Sequence, residues 1–239
     1  MKPTIIKVVK IEYTSHLKEI QVRHITFILS LIILSFAFTR TINASSSLST
    51  IEITNTDPSK ICALNVGSTI SSELKIRDIN GESHSLKKII SKRPTIIVFY
   101  RGGWCPFCNL QLQNLRKVVK DVESTGFQLI AISPDRPSEL KKSLGKHKLT
   151  YKLLSDSSAN AAKQFGIAFK VNQPTLKKYE EHGINLEKAS GKKHNLLPVP
   201  SVFILNKDGK VHFSYANPDY KVRLDEEIIL AAMKNLKIK

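Results

Sequence analysis

The chain is short of the residues that would staple it together. Its 239 residues include three cysteines, an odd number that cannot all pair within one chain and too few for a disulfide scaffold. A structural zinc site draws four ligands, and a Cys-x-x-Cys pair that serves one comes with a second pair or with histidines three to five residues apart. Here Cys105 and Cys108 form a single such pair, and none of the seven histidines has a partner at that spacing; His147, His182, His194 and His212 stand alone. A structural zinc site is therefore excluded. Acidic residues are scarce too, 20 Asp and Glu against 37 Lys and Arg, for a formal net charge of +17. That balance could serve nucleic acid or a membrane surface, but the lysines are scattered from Lys60 to Lys239 without a stripe or a nucleic-acid-binding signature. We read it as a solvated basic face, with no nucleic-acid partner.

The apolar run near the N-terminus, ITFILSLIILSFAF, has fourteen residues and falls short of the roughly 20 that a membrane-spanning helix needs. His16, Lys18, Arg23 and His24 precede it, and Arg40 and the small-residue stretch NASSS follow. This is the layout of a signal peptide. The expectation is residues 1–44 as a cleaved signal, or an uncleaved anchor, with the protein exported to a periplasmic or extracellular location. A membrane contact is expected only if the segment is kept. Ser59, Lys60 and Ile61 before Cys62 make no lipobox. Residues 45–65, rich in Ser, Thr and Asn, read as a flexible linker. The folded domain is expected over 66–239, and the 41% hydrophobic content is ordinary for one globular core.

Within that domain, residues 75–79 and 84–86 flank Asn80-Gly81, which suggests a hairpin with a two-residue turn. Residues 95–100, TIIVFY, form a continuous β-branched and aromatic run, as in a strand buried on both faces. Cys108, Leu112, Leu115, Val119 and Val122 recur at steps of four and three, one face of a helix. Further strands are expected at 128–132, 151–154, 201–205 and 210–215, and helices at 138–147, 158–165 and from Asp225 to about 236. The span 173–197 is polar and irregular. Strands alternating with helices, closed by a hairpin, give an α/β sheet covered by helices on both faces.

The pair at 105 and 108 sits where a strand meets a helix. There the first thiol lies beside unsatisfied backbone N–H groups and the positive end of the helix dipole, which favour thiolate, the reactive form. The second thiol, one turn into the helix, is placed to attack a mixed disulfide on the first. Arg101 could add positive charge, and Trp104 and Phe107 an apolar platform. Carriage of Cu(I) by the two thiolates and a histidine is an alternative, since soft thiolates suit that ion. Cys62, 43 residues before Cys105, reads as an incidental or buried thiol, although it could resolve an oxidised Cys108 or link two chains.

The segments FYRGGWCPFC, AISPDRPSEL, YKLLSDSSANAAKQFGI, LPVPSVFILNKDGKV and NPDYKVRLDEEII fall in order along the chain. Together they resemble the peroxiredoxin-like branch of the alkyl hydroperoxide reductase/thiol-specific antioxidant (AhpC/TSA) family, over roughly residues 66–236. The resemblance implies a thioredoxin-like fold with a central mixed β-sheet and flanking helices. It also implies a thiol-based antioxidant oxidoreductase with no cofactor, acting on peroxide or on protein disulfides and re-reduced by an external thiol reductant such as a thioredoxin-like protein. Catalysis and a redox disulfide would then fall to Cys105 and Cys108. The family's Pro-x-x-x-Thr/Ser-x-x-Cys pattern, laid on this chain, puts Arg101 at the proline, Cys105 at the threonine and Cys108 at the peroxidatic cysteine. The position of the family's activating arginine falls on Pro200, which instead looks like the cis-proline facing a Cys-x-x-Cys pair in thioredoxins. The order in which the two cysteines act stays open.

Overall fold

The computed structural model describes residues 52–71, 73–236 and 238. The apolar run read as a signal or anchor lies outside the described residues, among which no helix is long and apolar enough to cross a membrane.

The order of elements places the cysteine pair at the end of the central strand. β1 (Lys75–Arg77) and β2 (Ser83–Ser85) are followed by α1 (Leu86–Ile90), β3 (Thr95–Phe99) and the long α2 (Pro106–Ser124). Next come β4 (Gln128–Ser133), α3 (Pro137–His147), β5 (Lys152–Ser155), α4 (Asn160–Gln164) and β6 (Ala168–Lys170). The chain closes with α5 (Gln173–Glu181), α6 (Leu186–Ser190), β7 (Leu196–Pro198), β8 (Ser201–Leu205), β9 (Val211–Ala216) and α7 (Glu226–Asn235). Seven strands form one mixed sheet in the order β2-β1-β5-β4-β3-β8-β9, and β6 and β7 pair separately. β3 runs parallel to β4 and antiparallel to β8. Its β-branched and aromatic side chains therefore have neighbours on both edges and both faces.

Alternation along β3 divides the core in two. Ile96 and Val98 face a cluster that holds Leu112, Leu115, Val119 and Val122 of α2 with Ile229 and Met233 of α7. Ile97 and Phe99 face the other, with Leu86 and Ile90 of α1 and Ala161 and Ala162 of α4. In that second cluster the rings of Phe99, Phe165 and Phe203 meet at centroid distances of 4.8–6.0 Å in tilted and edge-on geometries, the arrangement that aromatic quadrupoles favour. Helices thus cover both sheet faces, as the sequence pattern implied.

Three local features differ from the sequence reading. The β1–β2 connection has five residues, 78–82, because the Asp78 carboxylate accepts the N–H groups of Asn80 (2.9 Å) and Glu82 (3.0 Å) and stabilises a longer loop. Part of the segment expected to be a linker packs on the domain: Ile53, Ile61, Ala63 and Leu64 lie against the second cluster. The Lys170 N–H donates to Asn55 O at 2.8 Å and the Leu64 N–H to Phe165 O at 3.0 Å. The polar span 173–197 forms α5 and α6, each begun by an asparagine whose side chain accepts a backbone N–H in the first turn.

The core reading predicts that Leu112→Ala, at a fully buried position, lowers stability by about 2–5 kcal/mol. Leu110→Ala, at a position 60% exposed on the same helix, should stay within about 0.5 kcal/mol. Urea unfolding followed by circular dichroism measures both, with the slope unchanged.

Candidate active site

Between β3 and α2 the chain makes a tight turn that only small residues can follow. Gly102 has φ of +150°, and a Cβ there would collide with the Trp104 indole and sit 2.8 Å from Asp135 Oδ1. A Cβ on Gly103 would collide with the Ser143 hydroxyl. The Gly103 N–H donates to Asp135 Oδ2 at 2.7 Å, the Cys105 N–H to Gly102 O at 3.1 Å, and Asn109 Nδ2 to Gly103 O at 2.9 Å. These bonds hold Cys105 at the N-cap of α2, with Pro106 opening the helix where no N–H partner is needed. Asp135 is itself buried, and burial pushes its carboxyl up to about 7 against the opposing Gly103 hydrogen bond. The acid and the two glycines form one unit under the turn.

Both sulfurs are enclosed: Cys105 is 1% exposed and Cys108 fully buried. Cys105 is lowered to about 6, first by the hydrogen bond it accepts from the Cys108 S–H, with burial opposing. The Cys108 N–H and the charges of Arg101 and Arg223 add to the lowering. Cys108 moves the other way, well above the ordinary thiol range. Burial is the main cause, followed by the bond it donates and the negative charge it faces on Cys105. The two shifts favour the negative charge on Cys105 and the proton on Cys108. Arg223, from the loop between β9 and α7, donates from Nη2 to Cys108 Sγ at 3.3 Å.

Arg101, 3% exposed, donates to the Tyr179 hydroxyl. Its guanidinium carbon lies 4.0 Å from the ring centroid of Tyr220, 5.0 Å from Trp104 and 5.5 Å from Tyr179. The aromatic faces hold the cation beside the pair, and Trp104 itself packs on Tyr179 at 5.5 Å. Arg101, Tyr179, Tyr220, Val199 and Pro200 border a pocket of about 170 Å³.

The cis-proline expectation is overturned, since no described residue has a cis peptide bond. The Val199 N–H is held by Ile167 O at 2.8 Å and the Val199 carbonyl by Ser201 Oγ at 2.7 Å. The chain passes from β7 into β8 through a trans Pro200, the isomer that X–Pro bonds favour. Cys62 is exposed, and its neighbours Ile61 and Ala63 join the core cluster on the opposite sheet face from Cys105 and Cys108. Sequence reasoning missed Asp135, Tyr179, Tyr220 and Arg223. Asp135, Tyr220 and Arg223 lie within two of the segments that carry the family resemblance, AISPDRPSEL and NPDYKVRLDEEII.

The sequence model of the AhpC/TSA family matches residues 67–214. The chain belongs to the AhpC/TSA family. Among family relatives, peroxiredoxin Bcp of Escherichia coli K12 is 29% identical over 98 residues, which cover 41% of this chain and 62% of the relative. Chloroplastic peroxiredoxin Q of Oryza sativa subsp. japonica is 26% identical over 142 residues, 59% of this chain and 55% of the relative. The chain thus spans less than two thirds of the length of these relatives. Peroxidoxin BcpB from Mycobacterium tuberculosis superposes with a TM-score of 0.56 at 20% identity, covering 73% of this chain and 99% of that one. A peroxiredoxin Q from Xanthomonas campestris gives 0.56 at 17% identity, over 72% and 98%. The fold is therefore thioredoxin-like, as expected from the sequence segments.

The charge asymmetry predicts that, in a Cys62→Ser background, Cys105 is alkylated by iodoacetamide with a rate that reaches half its maximum near pH 6. Cys108→Ala removes the leading cause of the lowering, so the midpoint should climb toward the free-thiol value of about 8.5. Rates followed by mass spectrometry from pH 4 to 10 check both.

Proposed function

We propose that the protein is a thiol peroxidase that reduces hydroperoxides through a dithiol/disulfide cycle of Cys105 and Cys108. An external thiol reductant such as a thioredoxin-like protein would restore the dithiol. The observation that carries this reading is the asymmetry of the buried pair: Cys105 accepts the Cys108 S–H bond and is thiolate at neutral pH, while Cys108 keeps its proton.

In the first step the Cys105 thiolate attacks a peroxide oxygen. The S–O bond forms as the O–O bond breaks, the alkoxide leaves and takes a proton as the alcohol, and Cys105 becomes a sulfenic acid. In the second step Cys108 attacks that sulfur, and its proton leaves with the displaced hydroxide as water. The resulting disulfide accepts two electrons from the outside dithiol by thiol–disulfide exchange.

Membership of the AhpC/TSA family favours peroxide over a disulfide carried on another protein. The trans Pro200 likewise withdraws one reason to favour protein disulfides. We assign the Arg101 and Trp104 side chains to tuning and shielding the thiolate. The pocket bordered by Arg101, Tyr220 and Pro200 is assigned to the organic remainder of the hydroperoxide. The exported location read from the apolar run belongs to the same proposal.

Stopped-flow consumption of hydrogen peroxide and an organic hydroperoxide by the full chain tests this. Wild type should turn over with a dithiol donor, and Cys105→Ser should fall to the rate of free thiols. Cys108→Ser should complete the first oxidation without forming a disulfide. Rapid oxidation that survives Cys105→Ser would overturn the order of the cysteines. Reduction of insulin disulfides with no peroxide turnover would replace peroxide as the substrate.

A further inference from the structure

Among the described residues, Arg223 is the one charged side chain seen to touch a sulfur of the pair, and it touches the one whose proton is held more tightly. Its other two nitrogens, Nε and Nη1, are buried without a hydrogen-bond partner among the described residues. A guanidinium enclosed with two of its donor groups unpaired is a standing cost. Its positive charge, with no carboxylate recorded against it among the described residues, is stabilised when negative charge arrives on the atom that Nη2 faces. In the resting pair the charge sits on Cys105, and the bond Cys108 donates to it helps to keep the Cys108 proton in place. Oxidation of Cys105 to a sulfenic acid removes that negative charge and, with it, two of the three causes that hold the proton. Burial alone then opposes the positive charge of Arg223.

We propose that Arg223 is a catalytic residue of the second step, stabilising the Cys108 thiolate as it attacks the oxidised Cys105. This rests on Cys105 acting first. The electrons balance within the pair: an S–S bond forms, the S–O bond of the sulfenic acid breaks, the Cys105 sulfur is reduced and the Cys108 sulfur oxidised. The proton from Cys108 leaves with the hydroxide as water. In the return reaction the same contact stabilises Cys108 as the leaving thiolate when a dithiol attacks Cys105. The first step so creates the condition for the second, and the pair fires in one order.

The test separates the two sulfurs without using peroxide. In the full chain carrying Cys62→Ser, 5,5′-dithiobis(2-nitrobenzoate) releases one thionitrobenzoate when Cys105 attacks it and a second when Cys108 attacks the mixed disulfide. At pH 8, above the Cys105 value of about 6 to which Arg223 adds only the last of several causes, Arg223→Gln should leave the first release within about threefold and slow the second about 10- to 100-fold, the worth of a hydrogen bond to a charged group. Arg223→Lys should recover part of the loss. Equal slowing of both phases, slowing of the first alone, or no change would overturn the role. Alkylation of Cys108 in a Cys62→Ser, Cys105→Ser background gives a second readout: Arg223→Lys and Arg223→Gln should raise the pH midpoint in that order, and an unmoved midpoint overturns the role. Two-phase release in a chain that consumes no peroxide would sink the peroxidase reading while leaving Arg223 in place.

Discussion

A single proton lies between two buried sulfurs, and the surrounding structure is arranged to leave it on Cys108. Two thiolates in one buried pair would repel in a low-dielectric setting, while two thiols would react slowly. The end of α2 and the cations of Arg101 and Arg223 favour one negative charge, and the hydrogen bond from Cys108 places it on Cys105. Pocket, helix and loops matter to the chemistry through this one placement.

Keeping the proton there requires a rigid turn. Its rigidity comes from the sheet below: β3 ends beside β4, and the segment after β4 carries Asp135 back under Gly103 at 2.7 Å. Asp135 is raised to about 7 by its burial, a cost borne at the site rather than in the core. The two glycines are the counterpart of that acid, since a side chain at either would meet it, Trp104 or Ser143.

What could be read in the sequence was what repeats locally. The run at 95–99 and the stripe from Cys108 to Val122 announce a buried strand and a half-buried helix, and the structure has both. α5 was invisible because it buries none of its own residues, so no apolar stripe marks it. The β1–β2 loop depends on one carboxylate, which outweighs the Asn-Gly signal. A proline letter does not encode its isomer, and Pro200 has the trans form that X–Pro bonds favour. Arg223 meets Cys108 across 115 residues, a distance over which periodicity carries no information. The segment containing it was flagged by resemblance alone.

Treatment of the Cys108→Ser chain with one equivalent of hydrogen peroxide in the presence of dimedone, followed by peptide mass spectrometry, reads which cysteine the peroxide oxidises. The account requires a dimedone adduct on Cys105, formed before any on Cys62. An adduct that appears on Cys108 in the Cys105→Ser chain, with none on Cys105 in the Cys108→Ser chain, would contradict it.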